Sequence, residues 1–315
     1  MREIEKQINV MKKTYHLCLS AGDEVMFRDL EDYRRGFNCF AIALYKTNST
    51  GLVESIMSTH MHLLVQTDSP KEFMMCFRQM YTMYFNKKYG RSGKLGENLH
   101  FTMEVVGYHH ILAAMSYILR NALHHGVAPI PYAYPHCSAN AIFMRKMGKR
   151  PEEDLLPKKS YYKHLGRTAE YPDSYKMSKD GVFLRESVLD IPQVENLYVT
   201  PRMFNFYMSR KSSEEWESEQ GKDQNDSPLI NIQSIEKGVT TDSIEKLLLF
   251  ENGKADYRKF SDIDLCTEID RNLLPKYGKE SVYQLSYKEK ALIANHLHNT
   301  LHLNAAQIRR CLALL

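Results

Sequence analysis

An α+β fold, in which an antiparallel sheet takes its elements in βαββαβ order, is the class predicted for the first 130 residues of this chain. Three observations predict it. Strand-like apolar runs recur at Thr14 to Ala21, Leu52 to Ser58 and His60 to Gln66; two amphipathic helical stretches carry start and stop signals; and the order of these pieces is strand, helix, two strands, helix, strand, helix.

Taken in order, Thr14 to Ala21 alternates as a first strand, and Asp29 to Tyr45 follows as a helix. Asp29 can cap it, while Tyr33, Phe37, Phe40, Ala41 and Leu44 share one face. Asn48 to Gly51 makes a turn, and the next two strands divide near Thr59. Asp68, Ser69 and Pro70 start a second helix, with Ser69 as cap and Pro70 at its first position. That helix runs to about Tyr89 and closes at Gly90, burying Phe73, Phe77, Met80, Tyr81 and Tyr84. Glu97 to Tyr108 resumes a strand pattern, and Ile111 to His125 is the last helix, with Gly126 as its terminal cap.

At 315 residues the chain exceeds the usual size of one domain. A mixed accessory region is expected over 131 to 210, a flexible linker or loop over 211 to 228, and a mixed connecting region over 229 to 282. The segment Ser212 to Pro228 is polar, acidic and nearly free of aliphatics. The last unit, 283 to 315, reads as a helical hairpin that starts at Ser286 and turns Leu292, Ile293 and Leu297 inward. Its second helix resembles the second helix of a helix-turn-helix, from which Gln307, Arg309 and Arg310 could reach DNA; a plain hairpin packed on the protein is the alternative.

Six cysteines lie scattered with no C-x-x-C pair and are expected as reduced, mostly buried thiols. No stretch approaches the ~18 apolar residues of a membrane span, and the first residues lack an apolar leader, so a cytoplasmic protein is expected. The net charge is +4, but residues 1 to 165 hold 22 Lys and Arg against 15 Asp and Glu, and the remainder holds 20 against 23. The basic half suits a polyanionic partner, as it also suits many ordinary enzymes. Lys158, Lys159, Tyr161, Tyr162 and Lys163 interleave basic and aromatic residues, a pattern fit for single-stranded nucleic acid or for a solvated helix face.

The third strand carries His60 and His62, which a spacing of two places on one face. Paired imidazoles can hold a metal, yet the same spacing recurs at His296 and His298, so it does not decide the matter alone. Tyr117 and Asn121 are four apart on the last helix and share a face.

Together the H-x-H strand, the helix R-Q-M-Y-x-x-Y-F-N-K-K-Y-G-R-S-G (Arg78 to Gly93) and Y-I-L-R-N (Tyr117 to Asn121) resemble the single-tyrosine HUH transposases of the REP-associated type. T-Y-H-L (Thr14 to Leu17) and F-R-D-L-E-D-Y (Phe27 to Tyr33) also look like that family, over about residues 12 to 128. Ala122 stands where the family usually has proline, and Glu97 to Phe101 where it has an aromatic and arginine motif.

The resemblance implies a ferredoxin-like HUH domain acting on single-stranded or hairpin DNA. Tyr117 would be the nucleophile, and His60, His62 and Asn121 would hold a divalent metal, Mg2+ or Mn2+, with Zn2+ the competitor. His124 and His125 are extra ligand candidates or partners of the helix dipole. Arg78, Lys87, Lys88, Arg91 and Arg120 are the expected DNA contacts of this domain, although the cations at the helix exit also suit a helix C-terminus. The resemblance further implies that a homodimer could form. A non-catalytic DNA-binding regulator on the same fold is the alternative function.

Overall fold

The computed structural model describes residues 12–96, 100–148, 154–210, 214–239, 248–251, 254–257 and 260–314. Strand β1 (Lys13–Ser20) leads to helix α1 (Leu30–Lys46), strands β2 (Thr50–Ile56) and β3 (His60–Thr67), helix α2 (Pro70–Tyr89), strand β4 (Phe101–Glu104) and helix α3 (Tyr108–Leu119). These four strands form one sheet in the order β2-β3-β1-β4 with every neighbour antiparallel, which is the split-βαβ topology. Asp29 caps α1 by accepting from the Asp32 amide, and Gly90 ends α2 in the left-handed conformation at φ 60°.

Two boundaries differ from expectation. Strand β4 is four residues long, and Glu97 to Leu99 of the expected strand lie outside the described residues, as does the amino-terminal stretch 1–11. The last helix begins at Tyr108 rather than Ile111 and is interrupted at Arg120, whose φ of −96° and ψ of 7° leave the helical region; α4 (Asn121–His124) then continues to Gly126. Gly107 makes the early start possible, because its φ of 105° suits glycine and a Cβ there would meet Asp223 at 2.3 Å.

Each face of the sheet has its own cover. Gly51 sits opposite Val65, and a Cβ on it would strike Leu44 and Phe40 of α1, so α1 and α2 pack on the face that holds Leu63 and Val65. The other face, with His60 and His62, meets α3 and α4 through Asn121. The main core continues from Leu17 to Ile235, so the stretches 1–130 and 131–210 share it.

Short helices α5 (Tyr162–Leu165), α6 (Arg185–Val188), α7 (Ile191–Tyr198) and α8 (Pro201–Ser209) follow. Within the expected linker the chain instead forms α9 (Glu214–Gln220) and a 3-10 turn, Gly221–Asp223, ahead of α10 (Ile232–Glu236). Trp216 explains the difference: it is 1% exposed, and one buried indole anchors an otherwise polar segment. Residues 211–213 lie outside the described set.

A two-stranded sheet, β5 (Leu248–Glu251) with β6 (Lys254–Tyr257), precedes α11 (Asp262–Glu268), α12 (Tyr287–Leu301) and α13 (Ala305–Cys311). Ser286 caps α12 in a reciprocal pair with Glu289, and Asn304 caps α13. Ile293, Leu297, Ile308 and Leu312 join Leu265, Ile269 and Val25 in a second core. Leu292, expected inside, is exposed.

Gln307 and Arg310 also depart from expectation, for both turn inward. Arg310 donates to the two oxygens of buried Asp262 at 2.7 and 2.8 Å, and Gln307 donates to Asp262 at 3.1 Å and to the Phe260 carbonyl at 3.0 Å. Ser58, in the turn between β2 and β3, donates to the same carboxylate at 2.8 Å, so the tail is docked on the first sheet's edge loops. Of the three expected tail contacts only Arg309 faces solvent. Asp262→Ala should strand the Arg310 guanidinium in the interior and cost about 3–5 kcal/mol, read by chemical denaturation. A loss below 1 kcal/mol would show that this buried pair does not hold the tail.

Candidate functional site

Antiparallel register builds the site. Directly opposed residues share a face, so His60 with Ser20, His62 with Cys18, and His16 with Leu64 all point toward α3 and α4. The His60 and His62 ring centroids are 5.1 Å apart at 73°, and His62 lies 5.1 Å from His16.

A directional chain of hydrogen bonds links the strand to the helix. The Thr59 hydroxyl sits 3.1 Å from His60 Nδ1, and His60 Nε2 is 3.3 Å from Asn121 Oδ1. With its proton on Nε2, His60 accepts from Thr59 and donates to Asn121. The Asn121 amide nitrogen then reaches His125 Nε2 at 3.3 Å, which also lies 3.4 Å from Glu236 Oε1. His16 Nε2 and His62 Nδ1 are 3.0 Å apart.

Burial sets the charge state. It lowers His16 to about 3 and His60 to about 4, and it drives His62 well below the ordinary imidazole range, with His60, His16 and His125 adding repulsion. All three are neutral at pH 7, which is the form that ligates metals. His62 Nε2 has no hydrogen-bond partner, an orphaned donor or acceptor in a buried place.

Three side chains here could hold a divalent ion. With its proton moved to Nδ1 and its bond to Asn121 given up, His60 could offer Nε2 alongside His62 Nε2 and Asn121 Oδ1, and His16 can hold the other nitrogen of His62 as an outer partner does. Among the described residues no group of three or more His, Cys, Asp or Glu side chains is arranged to hold a metal, so the amide oxygen would be an essential third donor.

Tyr117 occupies a nest of its own. Its ring meets Trp216 edge-on at 4.5 Å and His124 at 5.6 Å, and its hydroxyl has no hydrogen-bond partner. Burial pushes the phenol up to about 12, with Glu217 adding to this while Arg120 and Arg210 oppose it. Both guanidiniums lie over the Trp216 ring, at 5.1 and 6.0 Å. A pocket of about 650 Å³, lined in part by Arg120, His124, Asn205 and Ile232, opens beside this nest.

The segment from α9 to Gly238 forms a strap over both halves of the site. Asp223 accepts from the His109 and His110 amides at 3.0 and 2.9 Å and meets His110 Nδ1 at 2.7 Å, which ties the strap to the start of α3. At its far end the Cys18 thiol donates to the Gly238 carbonyl at 3.6 Å, and a Cβ on Gly238 would lie 2.9 Å from Cys18. His60, His62 and Tyr117 are consequently 0%, 0% and 2% exposed.

The expected DNA contacts are dispersed. Arg78 donates to the Gly96 carbonyl at 3.1 Å, and Lys88 is held by Asp29, Asp32 and Glu31. Arg91 bonds Asn86 and lies 3.4 Å from Glu24, while Lys87 is exposed. Arg120 is buried beside Tyr117. The partners that sequence reasoning did not assign are His16, Thr59, Glu236 and Trp216; alternation of His16 with Cys18 on β1 was the one available signal.

No family model matches the chain, and no curated protein matches it. Among solved structures it is similar to one described as a REP-associated tyrosine transposase bound to a REP hairpin, at 11% identity and a TM-score of 0.39, over 45% of this chain and 84% of that one. Among the described residues no helix is long and apolar enough to cross a membrane.

Proposed function

We propose that this chain is a metal-dependent endonuclease and strand transferase for single-stranded or hairpin DNA, with Tyr117 as nucleophile. The observation that carries the reading is that His60, on β3, meets Asn121, at the junction of α3 and α4, at 3.3 Å, with His62 beside it and the His62 Nε2 without a hydrogen-bond partner. A bound Mg2+ or Mn2+ would polarise the scissile phosphate as a Lewis acid. The Tyr117 oxygen forms a bond to phosphorus as the bond to the 3′ oxygen breaks, leaving a 5′-phosphotyrosine. The phenol loses one proton and the released 3′-hydroxyl gains one. Because the ester is exchanged rather than hydrolysed, a second hydroxyl can later rejoin the strand.

In the closed state this reaction is held back, since burial disfavours the Tyr117 phenolate and the strap covers the histidines. Arg120 is placed to favour the phenolate once the nest is hydrated and could also meet a phosphate, whereas Arg210 is already paired with Glu215 at 2.7 Å and Glu219 at 3.0 Å. Trp216 is the chain's one tryptophan, so its emission reports the strap. Addition of hairpin DNA with Mn2+ should shift that emission to the red as the indole leaves its nest. Adduct formation with unchanged emission would count against strap displacement.

The burial of all three reactive groups is also what favours the second reading, a DNA-binding regulator without chemistry. A covalent protein-oligonucleotide adduct separates the two. The transferase gives a denaturant-resistant band linked through the 5′ side of the cut, and EDTA abolishes it. Absence of that band across Mg2+, Mn2+ and Zn2+ with varied hairpins supports the regulator.

A further inference from the structure

The helical side of the sheet, away from the histidines, carries a groove that this chemistry does not use. It measures about 960 Å³ and runs between α1, α2 and the segment from Tyr162 to Gly181. Its walls are fastened to one another. The Arg35 guanidinium donates to the His164 carbonyl and, at 3.2 Å, to the Leu165 carbonyl. The Asn38 side chain donates to the Gly181 carbonyl at 2.8 Å and accepts from the Phe183 amide at 2.9 Å. The groove is therefore built into the fold, in contrast to a gap beside a loose loop.

Its charge is one-sided. Arg34, Arg35, Lys46, Lys87, Lys88 and Lys163 line it against two carboxylates, Glu31 and Asp180. Lys88 is neutralised by its acidic partners, and Arg34 faces Asp180 at 3.6 Å. Lys46, Lys87 and Lys163 come from three different helices, are exposed, and have no carboxylate partner among the described residues. Beside Lys163 the Tyr162 ring is 50% exposed.

We propose that this groove binds the sugar-phosphate backbone of single-stranded nucleic acid, at a second site distinct from the His60 and His62 face. Lysines are point charges that follow successive phosphates without reading bases, and three spread along a groove match a polymer better than one compact anion. An exposed tyrosine next to them offers an unpaired base a ring to stack on. Helix-end lysines also complement helix dipoles, as Lys46 and Lys87 do, but that role needs neither the shared groove nor the aromatic ring. The inference rests on the proposed function only in its choice of DNA as the probe, and binding at the groove requires no chemistry at Tyr117.

The test is anisotropy of a fluorescein-labelled 20-nucleotide oligo(dT), from 50 to 300 mM NaCl, in EDTA so that no cleavage occurs. The triple variant Lys46→Gln, Lys87→Gln and Lys163→Gln should weaken binding at least about tenfold at 100 mM salt. It should also flatten the slope of log K against log salt by about 2, from three contacts at ~0.7 each. Tyr162→Ala should weaken binding about tenfold and leave the slope alone. An unchanged affinity and slope in the triple variant overturns the site. Displacement of the oligonucleotide by 1 mM inorganic phosphate, or tighter binding of a duplex of equal length, overturns the single-stranded polymer as its ligand. Failure to form an adduct in the metal-loaded assay bears on Tyr117 alone and leaves this result standing.

Discussion

Tyr117→Phe should form no adduct with hairpin DNA, a loss of at least about a thousandfold, while binding the same DNA as the wild type does. Phenylalanine keeps the ring against Trp216 and removes a hydroxyl that has no hydrogen-bond partner, so the variant should melt at the wild-type temperature or slightly above it. Lost reaction cannot then be attributed to lost structure. Tyr81→Phe and Tyr84→Phe should behave in the opposite way. Their hydroxyls donate to the Met26 carbonyl at 2.6 Å and to Asp32 at 2.8 Å, so each variant should lose about 1 kcal/mol of stability and keep its adduct. A Tyr117→Phe protein that still forms the adduct, beside a control that does not, would reassign the nucleophile to α2.

Local rules made much of the first 130 residues legible. Asp29, Pro70 and Gly90 mark helix ends by their own backbone chemistry, and the β2-β3-β1-β4 sheet follows from element order and alternation. What escaped reading depends on partners far along the chain. His16 meets His62 across 46 positions, and Arg310 is drawn inward by Asp262 across 48, so the polar residues of α13 looked outward only while that carboxylate was unseen. The strap was hidden by composition: average polarity over Ser212 to Pro228 conceals the single indole that fastens it. The pairing of His60 and His62 on one face was readable from spacing, whereas their joining to Asn121 depends on how α3 and α4 lie across the sheet.

Acid should unfold this protein near pH 5, because three fully buried imidazoles resist protonation in the native state. His16 and His60 fall to about 3 and about 4 through burial, and His62 falls well below its ordinary value, while all three titrate near ~6.5 in the unfolded chain. Between those limits these three rings let the unfolded state bind up to three more protons than the folded state, and His124 and His136, lowered by burial to about 4 and about 3, add to the difference. Stability is then fully present above pH ~6.5 and declines as pH falls, by about 1.4 kcal/mol per pH unit for each histidine, or on the order of 4 kcal/mol per unit for three. A fall of one and a half units removes roughly 6 kcal/mol, comparable with the whole stability of a typical domain. Guanidinium unfolding at pH 7.5, 6.5, 5.5 and 5.0 reads this slope directly. Mn2+ should raise stability most at the higher pH values, where unfolding would first have to release an ion held by neutral imidazoles. His16→Phe should lower the proton uptake by one without abolishing Mn2+ stabilisation, since His60, His62 and Asn121 keep their donors. Stability that stays flat from pH 7.5 to 5.0 would mean that water reaches these rings, and the closed site described above would not be the state in solution.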